Sequence, residues 1–184
     1  MRSTLIMLCA TMTALLLWVG PVRGAVDMFL KIEGVEGEAS DPELRGWIEV
    51  ESFSWGASNP VSIGDRGTGA GKVSFRDLSL GKRLDIVSPQ LFLRVASGKH
   101  FPGAQLVMRS TGDQPFTFFQ MDMTEVYVSG IQMESSEDDE EKRVSEEVSL
   151  NFARVKVTYT PQEEDGGAGD SVSTGWDIKA NEEI

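Results

Sequence analysis

The stretch Val148–Tyr159, VSLNFARVKVTY, determines the expected fold of the whole chain. Apolar and polar residues alternate along it, and the alternation changes parity once. The apolar positions are Val148, Leu150 and Phe152, followed by Val155, Val157 and Tyr159. A period of two is typical of a half-buried β-strand, and a change of parity moves the apolar side chains to the other face. One extra residue, a β-bulge, produces such a change and bends the sheet.

Three other segments repeat this pattern. They are GWIEVESFSWG from Gly46, KVSFRDLSL from Lys72 and FQMDMTEVYV from Phe119. In the first segment, Phe53 and Trp55 fall on the core parity. The opposite face then carries Ser52, Ser54 and Gly56. Four long strands that change face predict a mainly β protein, a β-barrel of bent antiparallel strands. Eight short strands with a loop at each switch are the alternative.

One segment, SPQLFLRVASGK from Ser88, follows helical spacing instead. Ser88 is a favourable N-cap and Pro89 a favourable first helical residue. Gly98 supplies a left-handed stop. The apolar face consists of Leu91, Phe92, Val95 and Ala96. We therefore predict one flanking α-helix at about 88–98, docked through this face on an open edge or end of the barrel.

The first 24 residues have the layout of a secretory signal peptide. Arg2 supplies a positive charge, Leu5–Val19 is almost wholly apolar, and the small residue Gly24 precedes Ala25. The apolar run is shorter than the roughly 20 residues that a membrane span needs. We expect cleavage after residue 24, with residues 25–184 forming a single domain. An uncleaved anchor or a start codon assigned too far upstream are the alternatives.

Charge and composition argue against several functional classes. The chain has a net charge of −12, and loss of Arg2 with Arg23 makes it −14. Such a charge repels nucleic acid and anionic membranes, so neither is an expected partner. The only cysteine is Cys9, in the leader, and a lone His100 cannot supply a zinc site. With no G-x-S-x-G motif either, we expect no enzyme, no metal and no cofactor.

Two loops have unusual composition. Ser58–Lys72, SNPVSIGDRGTGAGK, is long and rich in glycine, but it lacks the spacing of a phosphate-binding loop and no helix follows it. Glu134–Glu147, ESSEDDEEKRVSEE, is strongly acidic. Its spacing fits no EF-hand, so a solvated acidic segment is favoured over a calcium site.

Taken in order, six segments resemble Hcp, the haemolysin-coregulated tube protein family of bacterial type VI secretion. They are MFLKIEGVEGE, SFSWGAS, GAGKVSFRDLSL, SPQLFLRVASGKH, VSLNFARVKVTYTPQ and GWDIKAN, and they extend from about Ala25 to about Asn181. The resemblance implies a β-barrel with one flanking helix, hexameric rings that stack into a tube, and effectors carried in the pore. Its implied partners are further copies of the chain, effectors, and the spike and sheath proteins. An exported β-barrel binding protein without the secretion role is the alternative.

The resemblance also gives several residues an expected role. Ser52, Ser54 and Gly56 are expected to face the pore and its cargo, and an ordinary solvent-facing strand is the alternative. Residues expected in contacts between rings or subunits are Ser58, Asn59, Asp65, Arg66 and Lys72. The chain departs from the family in its leader, in the acidity of residues 134–147 and in the Asp65–Arg66 pair. We expect secretion through the type VI machinery, through the signal peptide or both, with a cytoplasmic pool if the start is assigned too far upstream.

Overall fold

A computed structural model describes residues 26–64, 67–111, 115–135, 144–163 and 166–184, with the backbone alone for residues 61–64 and 67–70. The leader expected at residues 1–24 lies outside the described residues. So do Asp65 and Arg66 and most of the acidic segment, residues 136–143.

The described residues form thirteen strands and one helix. In chain order they are β1 (Val26–Ile32), β2 (Ile48–Val50), β3 (Ser52–Ser54), β4 (Ala57–Ser58), β5 (Val61–Gly64), β6 (Gly67–Ala70), β7 (Ser74–Phe75), β8 (Leu78–Arg83), α1 (Ser88–Ser97), β9 (Phe101–Ser110), β10 (Thr117–Ser135), β11 (Val144–Tyr159), β12 (Val172–Asp177) and β13 (Glu182–Glu183). This confirms the prediction of a mainly β protein with a single helix near residues 88–98.

The main sheet is antiparallel and has the strand order β13-β12-β11-β10-β9-β1-β2. A branch leaves it at β11, which pairs with β8 over Ser145–Leu150, and β8 in turn pairs with β3. Because β2 and β3 are separated only by Glu51, the chain passes directly from one end of the sheet to this branch. The sheet is therefore strongly curled around one core, although its strands do not form a closed ring among the described residues.

The change of parity in β10 and β11 occurs at Glu125, whose φ of 52° lies in the left-handed region. The flanking pairs, Thr124 with Arg154 and Val126 with Phe152, keep the same register. No extra residue is therefore inserted, and the bulge predicted at this switch is wrong. A kink shared by both strands changes the parity of each.

The other two alternating segments are split into short strands. GWIEVESFSWG forms β2 and β3, and KVSFRDLSL forms β7 and β8, as the short-strand alternative expected. β10 and β11 are continuous, and β10 takes its extra residues away from the switch, between Val128 and Gly130 against β11 and between Thr117 and Phe119 against β9.

The core lies inside the curled sheet and consists of aliphatic, methionine and aromatic side chains. Its most deeply buried members include Leu30, Ile32, Ile48, Leu78, Leu80, Leu91, Phe101, Leu106, Met121, Met123 and Leu150. Phe53, predicted on the core parity, is 39% exposed. This correction follows from its position on β3, which pairs with β8 alone and so forms an edge of the branch. Trp55 is half-buried against the core, as predicted.

The segment Ser58–Lys72 is not an irregular loop. β5 and β6 pair antiparallel from Val61 opposite Ala70 to Gly64 opposite Gly67, and we call this hairpin the arm. The arm forms a sheet of its own and pairs with no strand of the main sheet among the described residues.

The helix begins and ends close to its predicted limits but presents a narrower face to the core. Gly98 has a φ of 65° and donates its N–H to the carbonyl of Arg94 at 2.9 Å, which confirms the predicted left-handed stop. The N-cap is Val87 rather than Ser88, which is the first helical residue and is buried. Leu91 is 1% exposed, but Phe92 is 59% exposed.

Two corrections to the predicted apolar face follow. Only the stripe of Leu91 and Val95, one turn apart, lies against the core. Phe92 and Ala96 lie beside this stripe and are exposed, because the helix rests on the barrel along a single row of side chains.

Adjacent positions in α1 should respond very differently to truncation. Leu91→Ala should reduce the free energy of unfolding by about 2–5 kcal/mol, because it leaves a cavity in the core. Phe92→Ala should cost less than about 1 kcal/mol, because that ring is largely in water. Urea denaturation of both variants measures the difference. Equal losses of unfolding free energy in the two variants would mean that α1 packs on the sheet through a different face.

Candidate functional site

The outward side chains of β3, β8, the first half of β11 and the second half of β10 form a continuous surface, which we call the four-strand face. Register places Ser52 beside Gly81, Gly81 beside Glu147, and Glu147 beside Gln132. A Cβ atom at Gly81 would lie 2.3 Å from the hydroxyl of Ser52. A larger residue at this position would therefore have to displace the hydroxyl of Ser52.

A second row on this face consists only of small residues. Ser54 pairs with Ser79, Ser79 with Ser149, and Ser149 with Gly130. None of these side chains is larger than a hydroxymethyl group. The floor of the face is therefore low, polar and wettable across all four strands.

The edge of the face next to these rows is held by Asp77. Its carboxylate accepts hydrogen bonds from the hydroxyl of Ser129 and from the amide of Asn151 at 2.7 Å. Nearby, the N–H of Arg76 donates to the carbonyl of Gly56 at 2.9 Å. These bonds fix the end of the face at which the chain leaves β3.

The structure places two of the three predicted pore residues on β3, and the third follows just beyond it. Ser52 and Ser54 are exposed on β3, and Gly56 is half-buried just beyond it. A shallow cleft of about 430 Å³ lies over Ser52 and Ser54, between β3, β8 and the ends of β10 and β11. That this face lines a pore stays a prediction at this point.

The rim of this cleft is acidic. Glu134 and Glu147 lie at the end of the β10–β11 pair, and Glu51, which also lines the cleft, pairs with Arg83 at 2.5 Å. Both members of that ion pair are half-exposed, so it contributes little to stability.

Directly behind the face lies a buried ionic network that the sequence did not reveal. The Nζ of Lys82 lies 2.6 Å from Glu146 and 2.8 Å from Asp85, and it donates to the carbonyl of Arg83 at 2.7 Å. The hydroxyl of Ser88 donates to Glu146 at 2.8 Å. The side chains of Lys82 and Glu146 are 1% and 0% exposed. The network ties β8, β11 and the start of α1 together.

Glu146 corrects the expectation that residues 134–147 are a solvated acidic segment. It is a strand residue on the core parity of Val148 and Leu150, and Lys82 likewise continues the parity of Leu78 and Leu80. Lys82 and Glu146 therefore each occupy the next core-facing position of a strand, and they have opposite charges. This combination was the sequence signal that could have identified the pair.

A second surface lies where the curled sheet stays open, between β12 and β7, and we call it the seam. It contains a cavity of about 570 Å³ with mainly apolar walls. The apolar lining consists of Trp55, Val73, Phe75, Val155, Val157 and Trp176. Trp55 stacks on Phe75 at 5.9 Å. The indole N–H groups of Trp55 and Trp176 are buried without a hydrogen-bond partner.

The residues predicted in ring or subunit contacts lie at the base of the arm where they are described. Ser58 and Lys72 are exposed on either side of it, and Asn59 lines the seam. The N–H of Gly71 donates to the carbonyl of Pro60 at 3.0 Å and closes the base. The arm therefore leaves the protein next to the seam.

The described part of the chain assembles no cluster of metal-binding side chains. No group of three or more histidine, cysteine or acidic side chains is placed to hold a metal ion there. His100 is exposed and packs against Tyr127 at 5.4 Å. Within the same ranges, no helix has the length and apolar character needed to cross a membrane.

Comparison with known proteins identifies the family. The sequence profile described as "Type VI secretion system effector, Hcp" matches residues 29–159, well over half of the chain. The chain belongs to the Hcp family. A curated Hcp relative, Protein hcp1 of Pseudomonas aeruginosa strain PAO1, is 41% identical over 160 residues, which cover 85% of this chain and 98% of the relative.

Solved structures agree with this membership. A type six secretion system protein superposes with a TM-score of 0.81 at 29% identity, over 87% of this chain and 100% of the other. Hcp1 from Salmonella typhimurium superposes with a TM-score of 0.70 at 36% identity, over 87% and 99% of the two chains. The Hcp fold and a place in type VI secretion are thereby established for this protein.

The buried network gives a sharp test with a matched neighbour. Lys82→Met should cost about 3–5 kcal/mol, because it leaves two buried carboxylates without their cation. Arg83→Met, one residue along the same strand, should cost at most about 1 kcal/mol, because its ion pair is exposed. Urea denaturation measures both. A Lys82→Met loss no larger than that of Arg83→Met would show that Lys82 is solvated.

Proposed function

We propose that this Hcp protein is a structural component of the type VI tube, in which six copies form a ring, rings stack and effectors occupy the pore. The four-strand face carries this proposal, because its small polar residues suit a wetted wall. Family membership establishes the secretion system, and the proposal assigns the part that this chain has in it.

The chemistry of the face fits contact with varied cargo. An antiparallel sheet that buries one face in its core leaves the other to water or to a neighbour. Here that other face offers the hydroxyls of Ser52, Ser54, Ser79 and Ser149 rather than apolar side chains. Apolar groups would hold cargo by the hydrophobic effect, whereas hydroxyls exchange hydrogen bonds with water at little net cost.

Two further surfaces support assembly into a ring. The arm pairs with no strand of the main sheet, and the seam leaves the indole N–H groups of Trp55 and Trp176 unpaired among the described residues. A buried donor without a partner costs about 1–3 kcal/mol, so a neighbour that supplies acceptors stabilises this region. Two different surfaces that both need a partner suit a head-to-tail contact, which closes into a ring.

The proposed role is structural and binding, with no catalysis, metal or cofactor. Further copies of the chain, effectors, and the spike and sheath proteins are its proposed partners. We propose secretion through the type VI machinery, through the signal peptide or both, with a cytoplasmic pool if the start is assigned too far upstream.

The assembly is tested on a protein that starts at Ala25. Light scattering and negative-stain microscopy should show a homohexameric ring with an open pore. Six copies at −14 each repel one another, so association should strengthen from low to moderate salt as the Debye length falls to about 8 Å.

Two results would contradict this proposal. A monodisperse monomer across a range of concentrations would remove the tube role and favour an exported binding protein. Association that weakens with salt would show that ion pairs between subunits dominate over net repulsion.

The pore assignment has its own variant. Ser54→Trp places a bulky side chain on a floor of small residues, where it excludes cargo sterically, and it should leave the hexameric ring intact while reducing effector retention about tenfold, or about 1.4 kcal/mol. Ser97→Trp, at the exposed end of α1, is the matched control and should retain effector normally. Co-purification of effector with each ring measures retention. Equal retention by both variants would remove the pore assignment only.

A further inference from the structure

Helix α1 presents a second row of apolar residues, which the described part of its own chain does not cover. Pro89, Phe92, Leu93 and Ala96 follow one another at the spacing i, i+3, i+4 and i+7, which places them on one side of the helix. Phe92 and Leu93 are 59% and 62% exposed, and the other two residues are exposed as well. We call these four residues the outer stripe. Single exposed apolar residues are normal on a protein surface, but a continuous row marks a contact site.

The outer stripe is directed away from the core of its own chain. Leu91 and Val95 hold α1 against the core. With 3.6 residues per turn, Leu93 lies roughly 200° around the helix axis from Leu91. The exposed positions of α1 outside the stripe, Gln90 and Ser97, are polar. The helix therefore has two separate apolar sides, and the second is open to another molecule.

The protein also has a groove that fits such a stripe. Helices that dock in apolar grooves do so through anchors at i, i+3, i+4 and i+7. The seam has a volume of about 570 Å³ and mainly apolar walls, which is large enough for the side chains of Phe92 and Leu93. Within one chain α1 packs on β10, whereas the seam lies between β7 and β12. The stripe that enters a seam must therefore come from a second copy.

The borders of the two surfaces carry opposite charges. Lys99 is exposed directly beyond the C-terminal end of α1. β13 borders the seam, with Glu183 opposite Trp176, and both glutamates of β13 are exposed. The base nearest to them in the chain, Lys179, is paired with Glu125 instead. The outer stripe thus ends at a base and the seam is bordered by acids, a complementarity that favours contact between them.

We propose that the outer stripe of one copy docks in the seam of the next copy. The two surfaces belong to the same chain but differ from each other, so the contact is head-to-tail and can close into a ring. This inference rests on the proposed tube role and specifies the contact between neighbouring copies in the ring. The occupant of the seam is a short amphipathic helix, and its anchors are Phe92 and Leu93.

A charge placed on either side of α1 tests the stripe. The protein that starts at Ala25 contains every described residue. In it, Leu93→Asp should weaken association about tenfold or more, because a buried anchor of the contact is replaced by a carboxylate. Gln90→Asp adds the same charge to the polar side of the same helix and should leave association unchanged. Sedimentation velocity over a concentration series measures association, and circular dichroism confirms that both variants fold.

Crosslinking identifies the groove. The protein that starts at Ala25 lacks Cys9 and so contains no cysteine. Leu93→Cys with Thr174→Cys, an exposed residue that lines the seam, should give a ladder of linked copies with a short bismaleimide. Leu93→Cys with Thr124→Cys, an exposed residue of β10 away from the seam, is the control and should give none. In the assembled protein, Leu93→Cys should also react with maleimide more slowly than Gln90→Cys.

The outcomes separate this contact from the tube role. Rings that form equally well with Leu93→Asp and Gln90→Asp would overturn the contact and leave the tube role standing. So would rings in which Leu93→Cys stays fully reactive, which would leave the stripe to a different protein, or linked pairs formed by Leu93→Cys alone, which would mean a symmetric helix contact. Linked open chains without rings would support the contact and remove the tube role. A monomer at every concentration would overturn both.

Discussion

The fold depends on β11, which shares its sixteen residues with three other strands. It pairs with β10 along its length, with β8 over Ser145–Leu150 and with β12 over Arg154–Tyr159. β10 occupies one edge of β11, so β8 and β12 both pair with the other edge. Two strands can share that edge only if the sheet turns between them, and the kink at Glu125 lies at that turn. The curl that encloses the core, the four-strand face and the open seam all follow from this branch.

The two halves of β11 also separate the two surfaces that we connect with function. Its first half, with β8 and β3, supplies the small polar floor of the four-strand face. Its second half contributes Val155 and Val157 to the apolar seam. The buried pair of Lys82 and Glu146 lies behind the first half and joins it to α1. The wall proposed for the pore is thus stabilised by this buried ion pair behind it rather than by contacts between its exposed side chains.

Sequence patterns predicted the type and position of most elements, because period two and helical spacing are local properties. They identified the helix near Ser88, the left-handed stop at Gly98 and the long strands β10 and β11. They also placed Ser52 and Ser54 on the face opposite the core. The resemblance to Hcp supplied the family, which the comparisons confirm.

What the sequence missed depends on contacts that only the folded chain makes. Phe92 lies beside the buried helical stripe that contains Leu91. The width of the helix face that becomes buried depends on the shape of the sheet it packs against, which the helix sequence does not reveal. Glu146 appeared to belong to a run of acids, because nothing local shows that Lys82 lies opposite it. A kink at Glu125 and a bulge give the same parity change in one strand, so only the pairing register separates them.

We propose that the four-strand face is the inner wall of the assembled tube. An electron cryo-microscopy map of the assembled Ala25–Ile184 protein tests this assignment most directly. We expect β3, β8, β11 and β10 to line the channel, with Ser54 and Ser79 closest to the axis. A channel lined by α1, or by the outward side chains of β1 and β9, would contradict the claim.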